Sequence, residues 1–101
     1  MKSYWLSFRI KDDAGYADSY DSLIEAIGKV ADQTSWWLET TSFYIFKSDY
    51  STDQIANHIK RSIRADRDLV ILGMPNFRGG RVIGKYDDPD IFDLFPGMME
   101  F

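Results

Sequence analysis

Apolar and polar residues alternate along residues 3–10, with Tyr4, Leu6, Phe8 and Ile10 on one side and Ser3, Trp5, Ser7 and Arg9 on the other. A period of two marks a strand with one face in a core. After the polar loop of residues 11–17 the spacing changes to three and four: Tyr20, Leu23, Ile24, Ile27, Val30 and Ala31 form one stripe and predict a helix over about residues 20–31. Asp18 or Ser19 is its expected N-cap, and Ser22 with Glu25 offers a second capping box. Residues 36–46, WWLETTSFYIF, are dense in aromatic and β-branched side chains and predict two strands, 36–39 and 42–47, divided near Thr40 and Thr41. In the second of them Phe43 and Ile45 alternate with Tyr44 and Phe46, so both faces are apolar. Helices on one side of a sheet leave the other side needing a cover. A partner subunit is the simplest cover, with Trp5, Tyr44 and Phe46 at the expected dimer interface.

Ser51 opens a second predicted helix, with Gln54 at the capping-box position and Ile55, Ile59 and Ile63 on one stripe. Residues 69–74, LVILGM, read as a fully apolar strand. Pro75 to Gly80 turn the chain, and residues 81–86, RVIGKY, predict a fifth strand that shields the hydrophobic edge. Strand, helix, strand, strand, helix, strand is the order of the α+β ferredoxin-like βαββαβ sandwich, here with an extra C-terminal strand. Residues 1–86 are expected to form that domain. Residues 87–101 are too apolar to stay in water, yet Pro89 and Pro96 forbid a long helix. They are expected as a short turn or extended tail docked on this subunit or its partner.

At 101 residues the chain has material for one core. Charged residues at 28%, and no apolar run near the roughly 20 residues that span a bilayer, argue against a membrane protein. The N-terminus lacks the pattern of a signal peptide, so a cytoplasmic location is expected. With no cysteine, disulfides, thiol catalysis and cysteine-ligated zinc are excluded. The net charge of −4 is unevenly spread: residues 51–85 carry seven basic and three acidic groups, and residues 86–101 carry five acidic and no basic groups. Lys60, Arg61, Arg64, Arg67, Arg78, Arg81 and Lys85 form a candidate nucleic-acid surface, with the acidic tail as its screen. Helix-dipole stabilisation and a solvated face explain the same charges.

His58 is the one histidine, so no histidine-rich metal site exists, and no GxSxG marks a hydrolase. Asp12 and Asp13, just past the first strand, have the chemistry to ligate Mg²⁺ with water completing the shell, and an exposed turn explains them equally. The Arg78-Gly79-Gly80-Arg81 turn has backbone N–H groups and two guanidinium forks for a phosphate, and is also a hairpin turn needing no ligand.

The stretches MKSYWLSF, YDSLIEAI, SWWLETTSFYIFKSD, STDQI and DLVIL, within residues 1–74, resemble the SinR-type small proteins, relatives of the CRISPR-associated Cas-two nucleases and of VapD-type toxins. The resemblance implies a ferredoxin-like homodimer whose sheets stack face to face, with the last strand crossing to the partner's sheet. The nucleases among these relatives use an aspartate at the end of the first strand, one per subunit, to hold Mg²⁺. Here Arg9 stands at that position. The expected function is therefore a homodimeric binding or structural module without a cofactor or nuclease activity, Arg9 pairing with Glu39, Asp12 or Asp13 or binding an anion such as phosphate. Two alternatives stand beside it: a metal-dependent endonuclease on RNA or DNA using Asp12 or Asp13 with Mg²⁺, and a toxin–antitoxin component binding a protein partner.

Overall fold

A computed structural model describes residues 1–76 and 79–101. Among them the chain forms β1 (Lys2–Arg9), α1 (Tyr16–Val30), β2 (Trp36–Trp37), β3 (Phe43–Ser48), α2 (Thr52–Ser62), β4 (Leu69–Gly73), β5 (Gly80–Gly84), α3 (Ile91–Leu94) and β6 (Met98–Glu100). The strands make one sheet in the order β2-β3-β1-β4-β5-β6. Every neighbouring pair is antiparallel except β5 and β6, which run parallel. The fold is α+β, with the two long helices on one face of the sheet.

The alternation in β1 sets the core. Tyr4, Leu6, Phe8 and Ile10 are buried with Tyr44 and Phe46 of β3, Val70 and Leu72 of β4 and Ile83 of β5, against Leu23, Ile27 and Val30 of α1 and Ile55, Ala56 and Ile59 of α2. The capping box of α2 forms as its sequence implies: Ser51 Oγ accepts from Gln54 N, and Gln54 Oε1 accepts from Ser51 N. The helix ends at Ser62, one residue short of the expected stripe position Ile63.

Two element bounds depart clearly from expectation. Helix α1 starts at Tyr16 rather than Tyr20, because neither Asp18 nor Ser19 caps it. Asp13 instead accepts from Gly15 N at 2.9 Å, and the Ser19 hydroxyl is spent on Asp68. Strand β2 holds only its two tryptophans: past Trp37 the Thr40 hydroxyl bonds the Phe43 carbonyl and the chain bends before β3. The tail docks on its own subunit. Gly80 N donates to Gly97 O and Phe101 N to Val82 O, so β6 extends the sheet beyond β5. The Phe101 ring lies under Lys60 of α2, its centroid 5.4 Å from Nζ.

Among the described residues no helix is long and apolar enough to cross a membrane.

Candidate functional site

Three segments meet where β1 stops: the β1–α1 loop, the α2–β4 loop and the chain leaving β5. Asp68, the residue before β4, ties them together. Its side chain is fully buried. Oδ1 accepts from Lys11 N at 2.9 Å and Arg64 Nη2 at 3.2 Å; Oδ2 accepts from Ser19 Oγ at 2.6 Å, Arg64 N at 2.9 Å and Arg64 Nε at 3.4 Å. The Asp68 backbone carbonyl takes the N–H of Lys85 at 2.8 Å. Burial acts to raise the Asp68 pKa, but the bonds from Ser19, Lys11 and Arg64 favour the anion more strongly and hold it below the usual carboxylate range.

Arg64 also reaches outward. Its Nη1 lies 2.6 Å from Asp13 Oδ1, and Arg67 Nη1 lies 3.1 Å from Asp13 Oδ2. The Arg64 guanidinium holds the Asp13 carboxyl at about 2; partial desolvation opposes it, while the Gly15 N–H and Arg67 add to it. Asp13 is thus a structural anion, with both oxygens occupied.

Over this network lies a cleft of about 500 Å³, floored by Ile10. Arg9, Lys11, Arg67 and Lys85 line it, as do Asp12, Asp13, Asp66 and Asp87. In the sheet register Arg9 opposes Leu69, which opposes Gly84. The Arg9 side chain therefore crosses β4, and its Nη2 makes one long contact, 3.5 Å, to the Lys85 carbonyl. Arg9 pairs with none of the expected carboxylates: Asp13 belongs to Arg64 and Arg67, and among the described residues neither Glu39 nor Asp12 makes an ion pair.

The predicted basic surface does not form one patch. Arg64 and Arg67 are bound to carboxylates, and Arg81 is bound to Asp53 at 2.9 Å and to the Gly80 carbonyl. Lys60 covers Phe101, Arg61 bonds the Asn57 carbonyl on the exposed side of α2, and Lys85 stands at the cleft. Arg78 lies outside the described residues. The acidic tail expected as that surface's screen is built into the sheet, and Asp87 is its one acidic group lining the cleft. His58 packs edge-on against Tyr50 with ring centroids 6.1 Å apart.

The sheet face opposite α1 and α2 is the second candidate surface. Trp5 stacks on Phe43 at 6.1 Å. Its indole lies over Gly73, where a Cβ would come within 2.2 Å of the ring, and its Nε1 donates to the Met74 carbonyl. Trp37 and Ile45 are register partners, as are Ile45 and Trp5. Trp37, Ile45 and Phe43 remain 43%, 40% and 37% exposed. Of the three residues expected at an interface, Trp5 lies on this face, whereas Tyr44 and Phe46 are 4% and 1% exposed within the core. A strand apolar on both faces gives no phase by itself. The missed signal was Lys47: it must reach water, and Phe43 and Ile45 share its face. Asp68 gave no such signal, since an acid ahead of a strand reads as a solvated turn.

Comparison with protein-family models, curated proteins and solved structures finds no match to this chain.

Proposed function

We propose that this chain is a ferredoxin-like, Cas-two-like homodimeric binding or structural module without nuclease activity, its two copies joined through the sheet faces opposite α1 and α2. One observation carries the reading: Trp37, Ile45, Trp5 and Phe43 form a continuous stripe on the face opposite the two long helices. Large apolar side chains grouped this way mark an interaction surface. The strand order β2-β3-β1-β4, all antiparallel, supports the ferredoxin-like part of the reading. A stable interface buries about 800 Å² per partner, and aromatic anchors at its centre supply most of the affinity.

Sedimentation at micromolar concentration is expected to give a species of about twice the 11.7 kDa chain mass. Ile45→Asp, which places a charge at the centre of the stripe without touching the core, is expected to return it to the monomer. A wild-type chain that sediments only as 11.7 kDa would sink the dimer. A heterodimer with a co-purified protein would favour the toxin–antitoxin reading.

Neither Arg9 nor Asp13 offers a ligand to a divalent cation at the end of β1. A guanidinium has no lone pair to donate, and Asp13 is occupied by Arg64 and Arg67. Incubation with RNA or duplex DNA, with Mg²⁺ or Mn²⁺, is expected to leave both intact. Cleavage abolished by Asp12→Ala or Asp13→Ala would establish the endonuclease instead.

A further inference from the structure

We propose that the cleft at the end of β1 binds the phosphate group of a small phosphomonoester, gripped by the Arg9 guanidinium with Lys11 and Lys85 beside it. The argument starts from what Arg9 leaves unused. A guanidinium carries five N–H donors in a rigid fork that matches an oxyanion. Arg9 spends one of them, at 3.5 Å, on the Lys85 carbonyl. That contact draws the side chain across β4 and holds the fork at the cleft. Among the described residues neither Lys11 nor Lys85 makes an ion pair, so two ammonium groups flank the guanidinium with their charge uncommitted.

The carboxylates of the cleft decide which anion fits. Asp13 is neutralised by Arg64 and Arg67, and Asp66 leans on Arg67 at 3.7 Å. Arg67 serves both carboxylates, so the four basic and four acidic side chains lining the cleft balance overall; the charge that favours an anion is local, where Arg9, Lys11 and Lys85 stand without an ion pair among the described residues. One phosphate group suits that local cluster. A polyanionic strand does not, because Asp12 and Asp87 would face its neighbouring phosphates. The volume, about 500 Å³, is that of a small-molecule site. The aliphatic stems of Arg9 and the lysines give an organic ester something to rest on. The cleft lies within one chain, so the proposal does not depend on the dimer.

The test is a titration with inorganic phosphate and with phenyl phosphate at low salt, followed by amide NMR, on the wild type and on Ile45→Asp. Saturable shifts are expected at Arg9 to Asp13 and at Lys85, in at least one of the two proteins. Arg9→Ala is expected to weaken binding about tenfold or more, the scale of a lost charge-assisted fork, and Arg9→Lys to fall between, keeping charge without the fork. Tighter binding of phenyl phosphate identifies an ester as the occupant, and equal affinity identifies the free anion. No saturable binding in either protein, or a loss under fivefold in Arg9→Ala, overturns the site.

Discussion

Replacing Asp68 with alanine is expected to cost about 3–5 kcal/mol of folding stability at neutral pH, the range for removing one partner of a buried ion pair. The variant strands the Lys11 N–H, the Ser19 hydroxyl, the Arg64 N–H and part of the Arg64 guanidinium, all of which point at Asp68. Unmade bonds to buried donors cost more than made ones contribute. Asp68→Asn should recover only part of the loss, since its amide would turn donors toward donors. The effect is expected to depend on pH with a definite sign. The folded-state pKa of Asp68 is depressed, so its stabilisation is present above the unfolded value, about 3.9, and is lost as pH falls below that toward the folded value. Asp13 behaves alike, its contribution fading as pH falls from about 4 through its folded value of about 2. Urea unfolding at pH 7, 5 and 3 reads both effects. A wild-type advantage over Asp68→Ala below about 1 kcal/mol at pH 7, or one that does not shrink by pH 3, would show that Asp68 is not the anchor described.

Gly84→Ala is expected to be nearly as damaging, at about 2–4 kcal/mol, through the backbone alone. Gly84 has φ +101°, and a Cβ there would stand 2.1 Å from the Asp68 carbonyl oxygen and 3.0 Å from its carbon. The obstacle is main chain, so no side chain can swing aside. Relief requires β5 to move from β4, which breaks the 2.8 Å bond from Lys85 N to that same carbonyl. Gly79 is the internal control: its φ is +74°, but a Cβ there meets nothing within 4 Å. Gly79→Ala should therefore cost only the left-handed conformation, about 1–2 kcal/mol. Equal losses for the two alanine variants in urea would refute the clash.

These two positions mark where legibility in the sequence ends. Periodicity was enough for β1, because Tyr4, Leu6, Phe8 and Ile10 alternate with polar residues and Trp5. It was enough for α2, where Ser51 and Gln54 announce the start and the isoleucines set the buried face. It placed Arg9, Asp12 and Asp13 at the end of β1, where the cleft lies. It did not reveal which of them were already engaged, because Arg64 and Asp13 are 51 residues apart and Ser19 and Asp68 are 49 apart. Partnerships at that separation are set by tertiary packing and leave no local trace. The early start of α1 escaped for the same reason: Ser19 reads as a cap until Asp68 claims its hydroxyl.

The sheet's two margins carry a consequence for how copies of this chain meet. Its outermost strands are β2, with two residues, and β6, with three. A copy arriving edge-on finds too few free N–H and C=O groups to repay its lost rotational freedom, and long unpaired edges are what let sheets grow without end. Stacking on the broad face is different in kind. A patch that pairs with its own equivalent across a two-fold axis is used up by the first encounter. In the proposed dimer, growth by that route would stop at two.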